Sequence, residues 1–241
     1  MRSAIGGYRV DVMKSALVSV LGIAMAAGAL SPAAPGASAP APPDRAAGEP
    51  RFQADTKRIT GKVRKKITGS SWHRGCPVPR RNLRLIRATH WDFQRDVERG
   101  ALIMHKKEKR EMVKALRSLF DARFRIRKMD LIDRYGADDH RSMNADNTSA
   151  FNCRFVAGTT RWSEHAYGRA IDINPIENPY VTPSGHVSPP AGRPYADRSR
   201  HAKGMVHHGD DAWDAFRDVG WKWGGDWSGT KDFQHFSSNG S

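Results

Sequence analysis

The chain has 241 residues, which allows one domain of ordinary size plus extensions. Lys and Arg number 40 against 25 Asp and Glu, so the formal net charge is +15. This balance favours polyanionic partners, but no recognised nucleic-acid-binding motif accompanies the charge, and we expect no nucleic acid among them. A hydrophobic content of 39% suits a soluble globular protein with a packed core.

The first 39 residues have the pattern of a secretory signal peptide, in which a basic start, a short apolar run and small residues follow one another. Arg2, Arg9 and Lys14 precede the apolar residues 16–30, and the small residues reach Ala39. Because the run is shorter than the roughly 20 residues of a membrane span, we expect export with cleavage. An uncleaved anchor is the alternative.

Residues 40–75 are predicted to form a disordered linker followed by a basic arm. The linker is rich in Ala and Pro and lacks the apolar periodicity that a core needs. From Arg51 onward, many Lys and Arg residues are opposed by Asp55 alone, which predicts a flexible or weakly helical arm, either simply solvated or in contact with a polyanion. The folded domain is predicted over residues 76–241.

The first predicted elements of this domain are a hairpin and a helix. Residues 83–89 alternate apolar and basic side chains, as a half-buried strand does, and residues 101–105 resemble its partner, with Gly100 at the turn. Residues 107–124 carry apolar side chains at three- and four-residue spacing, which predicts a helix. Another strand is predicted over residues 128–133.

The second half of the domain mixes short elements with long polar segments. The predicted elements are a polar loop over 136–152, a strand over 168–174, a helix from Asp210 or Asp211 to Val219 with Trp213, Phe216 and Val219 on its inner face, and a final strand over 233–236. Strands and helices do not alternate regularly, so we predict an α+β fold with a small antiparallel sheet flanked by helices.

The chain contains two cysteines, Cys76 and Cys153. In an oxidising compartment a disulfide between them is a reasonable expectation, with two free thiols as the alternative. Two cysteines cannot make a Cys-rich zinc site, so any zinc must rely on nitrogen and oxygen ligands.

Two imidazoles and two carboxylates give the strongest chemical signal in the sequence. His165 and Asp172 lie in the segment SEHAYGRAID, and Asp232 and His235 lie in DFQHF near the end of the chain. Zinc (Zn2+) accepts such ligands, and a catalytic zinc needs three protein ligands with a fourth position open. Two His and one carboxylate meet that requirement.

The local pattern around Asp172 is compatible with a metal site. Alternation along a strand puts Ile171 and Ile173 on one face and Asp172 on the other, facing a cleft. Gly168 permits a bend that brings His165 back toward Asp172. Spacing alone therefore supports a metal site, with hydrogen-bonded core histidines as the alternative.

The segment SEHAYGRAIDIN resembles the Ser-x-His-x-x-Gly-x-Ala-x-Asp motif of the zinc D-Ala-D-Ala carboxypeptidases and L-alanyl-D-glutamate peptidases, peptidase family M15. The later segments WKWGGDW and DFQHF resemble the closing signature of the same family. The resemblance is specific from about Asn147 to Phe236. It implies the zinc D,D-peptidase (hedgehog-like) fold.

The resemblance also implies roles for individual residues. His165, Asp172 and His235 become zinc ligands, and Asp232 becomes the general base. It further implies that Arg154, in FNCRF, binds a substrate carbonyl or carboxylate.

Two further residues are expected beside the substrate. Ser163 lacks the surroundings of an activated serine nucleophile, so we predict a supporting hydrogen bond or a substrate contact for it. Trp223 is predicted to line the substrate groove, with core packing as an equal alternative.

The expected protein is thus a secreted, cell-wall-associated, monomeric zinc metallopeptidase that hydrolyses peptidoglycan stem peptides. The open choices are D-Ala-D-Ala carboxypeptidase and L-Ala-D-Glu or D,D-endopeptidase. The basic arm is expected to touch anionic wall polymers. The alternative from another class is a non-catalytic, zinc-containing wall-binding module, although a structural zinc normally has four protein ligands.

Overall fold

An antiparallel sheet in the order β1-β2-β3 opens the described part of the chain, residues 48–241 of a computed structural model. The predicted signal peptide over 1–39 lies outside the described residues. The strands are β1 (Ala54–Arg58), β2 (Leu83–Trp91), β3 (Val97–His105), β4 (Ala170–Asp172), β5 (Tyr180–Val181), β6 (Val187–Ser188), β7 (Lys222–Trp223), β8 (Lys231–Asp232) and β9 (His235–Ser237). The α-helices are α1 (Gly61–Ile67), α2 (Lys109–Asp121), α3 (Asp139–Asn144), α4 (Glu164–Tyr167) and α5 (Asp211–Arg217).

Two further sheets of short strands follow, in the orders β4-β9-β7 and β6-β5-β8. All their pairings are antiparallel. The predicted α+β class with small antiparallel sheets and a few helices is therefore confirmed. Among residues 48–241, none of the helices has the length and apolar content that crossing a membrane requires.

The first sheet separates two apolar clusters, because its side chains alternate between its faces. Leu102 and Met104 of β3 face the larger cluster, which also contains the buried sides of α2 and α5. Leu83 and Leu85 of β2 face a smaller cluster that includes Ile67 of α1. The strand β2 is therefore buried on both faces, whereas the sequence predicted a half-buried strand.

Helix α2 confirms the predicted helix with slightly shorter bounds. Its apolar residues recur at helical spacing and form one buried stripe against the sheet and α5. The buried positions include Met112, Leu116, Leu119 and Phe120. The final predicted strand is also present, split into β8 and β9.

For residues 51–75 a helix is present, as the weakly helical form of the predicted arm allows, but the prediction that this arm lies outside the folded domain is wrong. These residues form β1, which pairs with β2 along its whole length, and α1, which packs on the smaller cluster. Val63 and Ile67 lie four residues apart on α1 and supply the apolar contact that a disordered arm would lack. The folded unit thus begins well before Cys76, and the expected domain start at residue 76 is corrected.

The prediction of a turn at Gly100 is also wrong. The β2–β3 turn is at Asp92–Asp96, where the Asp92 carboxylate accepts hydrogen bonds from two backbone N–H groups. Gly100 lies inside β3, opposite Ala88. A Cβ at position 100 would collide with Met129, so a close approach of neighbouring backbone explains this glycine.

The segment between α2 and α4 differs from its predicted strand and loop. Residues 128–133 form no strand, although the Met129 carbonyl accepts a hydrogen bond from the Ala101 N–H. The predicted loop 136–152 contains α3, whose N-cap Asp138 accepts a hydrogen bond from a backbone N–H. Short apolar runs do not distinguish strands from other buried segments, which accounts for the missing strand. Helix α3 has only six residues, too few to show a helical apolar period in a polar segment.

Helix α5 begins at the predicted cap, since the Asp210 side chain accepts the Trp213 N–H. The predicted inner face is right for Phe216, which is fully buried. Trp213 and Val219 are only partly buried, and Ala212 and Ala215 take their places in the core. The small alanines allow α5 to pack closely on α2.

The disulfide that the sequence left open is present between Cys76 and Cys153. It joins residues 77 positions apart and constrains a long loop in the unfolded chain. We expect the double variant Cys76→Ala/Cys153→Ala to lose about 4 kcal/mol of unfolding free energy, as loop-closure entropy indicates for this length. Denaturant unfolding measures the loss. A reductant should destabilise the wild type and leave the double variant unchanged.

Two buried carboxylates share one partly exposed guanidinium. Arg127 contacts both Asp146 and Glu177, whose side chains are only 2% exposed. Oε2 of Glu177 is enclosed without a partner among the described residues. Burial, and then the neighbouring charge of Asp146, raise the pKa of Glu177 to about 7.

This raised pKa predicts a pH-dependent stability. The folded state favours protonated Glu177. The contribution of this group to the unfolding free energy is therefore fully present below about pH 4.5 and is lost as the pH rises toward 7. We expect this group to lower the unfolding free energy by about 2 kcal/mol between pH 5 and pH 8. The variant Glu177→Gln should lack that decrease, whereas Glu98→Gln should keep it. An unchanged pH dependence in Glu177→Gln would contradict the assignment.

Candidate metal centre

Pairing between β4 and β9 brings two of the predicted ligands together. Asp172 and His235, 63 residues apart in sequence, are direct partners in this antiparallel pair. Ile171 and Ile173 on either side of Asp172 are completely buried, as the alternation along the strand predicts. They fix the strand in the core and leave the carboxylate on the opposite face beside the imidazole.

Helix α4 supplies the third predicted ligand, His165. Ser163 caps this short helix, and its Oγ accepts the His165 N–H at 3.3 Å. Gly168 ends the helix with φ of 66°, in the left-handed region. A Cβ at position 168 would lie 2.6 Å from the His105 backbone nitrogen. The bend predicted at this glycine is therefore present and turns the chain directly into β4.

The three side chains converge on one point. His165 Nε2 lies 3.1 Å from Asp172 Oδ2, and His235 Nδ1 lies 3.0 Å from Asp172 Oδ1. The two ring nitrogens are 3.3 Å apart. Two ligands of a tetrahedral zinc at bond lengths near 2.05 Å lie about 3.3 Å apart, so this donor set fits the ion. All three residues are buried.

Backbone carbonyls hold the other nitrogen of each ring. His165 Nδ1 donates to the Ala150 carbonyl, and His235 Nε2 donates to the Ser241 carbonyl at 3.2 Å. With those protons placed, His165 Nε2 and His235 Nδ1 would present lone pairs to a bound metal ion, and in its absence a proton on either nitrogen can be donated to Asp172. This arrangement fixes the ring orientation and the tautomer that a metal ligand requires.

The charges of the cluster are mutually dependent. Burial alone would raise the pKa of Asp172, but the neighbouring His165 and His235 lower it well below its usual range. Burial alone would lower the pKa of His235. The hydrogen bond to Asp172 and the negative charges of Asp172 and Asp232 outweigh burial, so the pKa of His235 is raised. Without a metal, the carboxylate is thus ionised and stabilised by imidazole.

Asp232 stands apart from the three convergent side chains. It is in β8 opposite Tyr180, and it does not belong to the group whose ligand atoms meet. Its Oδ1 is enclosed and has no hydrogen-bond partner in the described part of the chain. Burial, and then the charge of Asp172, raise the pKa of Asp232 to about 6. A carboxylate with such a pKa can exchange protons near neutral pH.

Gly224 is a site residue for which sequence reasoning assigned no role. A Cβ at position 224 would lie 2.6 Å from the Asp232 carbonyl oxygen and 3.3 Å from the His235 Cβ. The absence of a side chain therefore lets the 3₁₀ turn Gly224–Asp226 pack directly against the strands that carry Asp232 and His235. The Gly-Gly pair in WGGDW was the available signal.

Arg154 is placed in an ion pair. Its Nη2 lies 2.7 Å from Oδ2 of Asp139 in α3, and its Nε is enclosed without a partner within residues 48–241. Its carbonyl accepts the Ser163 N–H, which ties it to the start of α4. Arg154 is thus linked to the ligand-bearing segment, and its predicted substrate contact stays a prediction.

The other two predicted substrate contacts have structural partners. Ser163 is buried and caps α4, in agreement with the supporting hydrogen bond predicted for it. The Trp223 indole N–H donates to the Phe233 carbonyl at 2.8 Å, and its ring packs in the core. One edge of Trp223 also borders a cavity of about 230 Å³ with Trp227, which lies beside His235. A substrate contact for either residue stays a prediction.

A comparison with models of protein families identifies similarity in the second half of the chain. A family model described as D-alanyl-D-alanine carboxypeptidase, of the M15 peptidases, matches residues 157–238. The matched segment contains His165, Asp172, Asp232 and His235, and it excludes Arg154 and the first sheet. No similar curated protein and no similar solved structure was found.

Proposed function

The chain belongs to peptidase family M15 through residues 157–238, and on this basis we propose that it is a zinc-dependent peptidase acting on peptidoglycan stem peptides. The family description favours the D-alanyl-D-alanine bond. L-Ala-D-Glu and D,D-endopeptidase cleavage are the other specificities of the proposal. We also propose the hedgehog-like zinc peptidase fold, a monomeric state and export to the cell wall.

One observation carries this proposal: three convergent ligand atoms with a separate enclosed carboxylate beside them. His165, Asp172 and His235 form a set of three among the described residues, and Asp232 is outside it. Three protein ligands leave a coordination position open, which is the arrangement of a catalytic zinc rather than a structural one.

A bound zinc ion would act as a Lewis acid, polarising the scissile carbonyl and acidifying the attacking water. The chain supplies the proton transfers. Asp232 accepts a proton from the attacking water and returns it to the leaving amine, because its raised pKa lets it change charge near neutral pH. Its free Oδ1 has an open lone pair for that exchange. The Ala150 and Ser241 carbonyls keep both histidines oriented throughout.

Substrate binding is proposed to involve residues around this centre. The Arg154 guanidinium, released from or shared with Asp139, would hold a substrate carboxylate by a forked contact. Ser163 and Trp223 would border the bound peptide from the start of α4 and from the Trp-lined cavity.

Peptidoglycan digestion tests the proposal. Purified peptidoglycan fragments would be incubated with the protein, with and without a zinc chelator, and the products weighed by mass spectrometry. Loss of one terminal alanine indicates carboxypeptidase activity, whereas separation of L-Ala from D-Glu or of cross-linked peptides indicates the endopeptidases. Chelation should stop each of these reactions.

The same experiment distinguishes the alternative from another class. A non-catalytic wall-binding module would bring wall material down with it and produce no cleavage at any zinc concentration. Binding that is insensitive to chelator, without any new product mass, would therefore replace the peptidase proposal with the module.

A further inference from the structure

Residues 56–91, here called the basic region, contain eleven Lys or Arg residues and no Asp or Glu. This segment is folded, since it holds most of β1, all of α1 and all of β2. The preceding acid, Asp55, contacts Arg99 and lies near Lys57 and Arg87, so it is already shared. The basic region therefore presents fixed positive charge with little internal compensation.

The fold holds the basic region rigidly against the rest of the domain. Val63 and Ile67 anchor the inner side of α1 in the smaller apolar cluster. Ser71 donates through both its backbone N–H and its hydroxyl to the Asp133 carboxylate. The disulfide at Cys76 adds a covalent link to Cys153, which follows Asn152, whose backbone N–H donates to the His165 carbonyl. The backbone that carries these charges is already ordered, so binding a partner does not cost the conformational entropy of ordering it.

Several of these charges lie where folding alone would not place them. Arg58 and Arg84 are direct cross-strand partners, and like charges at such positions are destabilising. Lys62, Lys65 and Lys66 are exposed on α1, and no carboxylate in residues 48–241 pairs with them. A polyanion that supplies many negative charges along its length would relieve this repulsion.

We propose that the basic region binds a linear phosphodiester polymer of the cell wall and so holds the domain next to its substrate. The cell-wall source rests on the proposed function, whereas the affinity for repeated phosphates rests on the charges alone. Nucleic acid shares the phosphodiester chemistry but fits less well. Helix α1 has seven residues, about 10 Å, which is short for entering a groove. Trp72 is covered by Arg80 at 4.5 Å, and the basic region has no large exposed aromatic ring for stacking.

The test compares two variants that lose the same charge. The first replaces Lys62, Lys65 and Lys66 with Gln, which has a similar helix propensity. The control variant replaces Lys107, Arg110 and Lys114 with Gln. These three residues are exposed and lie near Glu108 and Glu111. Affinity for inorganic polyphosphate is measured over a series of salt concentrations, and thermal unfolding checks that both variants fold.

Counterion release sets the expected size of the effect. Each neutralised phosphate of a flexible polyanion contributes about 0.7 to the slope of log affinity against log salt. Losing three contacts should reduce the slope by about 2 and weaken binding at 0.15 M salt by roughly 50-fold. The control variant should stay within a few-fold of the wild type. Equal affinities for the two variants would overturn the proposal.

A second arm tests the source of the phosphate. Isolated cell walls should retain the wild type, and acid extraction of their phosphodiester polymer should abolish most of that retention. Retention that is unaffected by extraction, or tighter binding to duplex DNA than to polyphosphate at equal phosphate concentration, would overturn the assignment to the wall. Cleavage of a soluble stem peptide should be equal in both variants and the wild type, which separates this result from a failure of the peptidase proposal.

Discussion

Replacing Asp232 with Asn is expected to lower turnover of a stem peptide by about 10³-fold while zinc content stays at the wild-type level. The amide has nearly the same shape but cannot accept the proton of the attacking water. Asp232 is outside the convergent ligand group, so the ion should stay bound. Steady-state kinetics and metal analysis on the same preparation measure both quantities.

Asp197→Asn is the matched control for this variant. The Asp197 carboxylate is exposed and accepts hydrogen bonds from the backbone N–H and the hydroxyl of Ser199. We expect it to keep turnover within a few-fold of the wild type. Wild-type turnover in Asp232→Asn would refute the assignment of the general base. Loss of zinc from that variant would instead make Asp232 a ligand.

Local patterns made part of the candidate metal centre predictable. Alternation along β4 buries Ile171 and Ile173 and leaves Asp172 on the other face, and a glycine after His165 marks the bend. The pairing of Asp172 with His235 depends on a contact between distant parts of the chain. The family resemblance predicted that His235 joins His165 and Asp172 at one site, whereas residue spacing alone did not decide between a metal site and hydrogen-bonded core histidines.

The parts that were not predicted depend on tertiary contacts. Composition predicted a flexible or weakly helical arm over residues 51–75, whereas the apolar contacts of α1 and the pairing of β1 with β2 make these residues part of the domain. Gly100 suggested a turn, but its actual requirement is the close approach of Met129 from another segment. In the same way, the carbonyls of Ala150 and Ser241 that orient the histidines are backbone groups, which side-chain patterns do not report.

Removing one ligand should abolish zinc binding and activity together. We expect His165→Ala to lose more affinity for zinc than the 10- to 100-fold that loss of an outer hydrogen-bond partner costs. At a zinc concentration 1,000 times the dissociation constant, the ion should raise the wild-type unfolding free energy by about 4 kcal/mol. His165→Ala should show little of this increase at the same concentration. Unfolding with and without zinc, together with metal analysis, measures the effect independently of activity.

The increase in unfolding free energy that zinc causes is the quantity to compare, because His165→Ala also changes the stability of the protein without zinc. Without His165, the buried Asp172 carboxylate keeps only His235 as its imidazole partner, so the metal-free variant should already be less stable. His201→Ala is the control, since His201 lies against His207 in another histidine pair that is not part of the convergent group. It should keep the full zinc increment. If both variants kept it, zinc would be binding elsewhere, and the three convergent residues would not form the metal site.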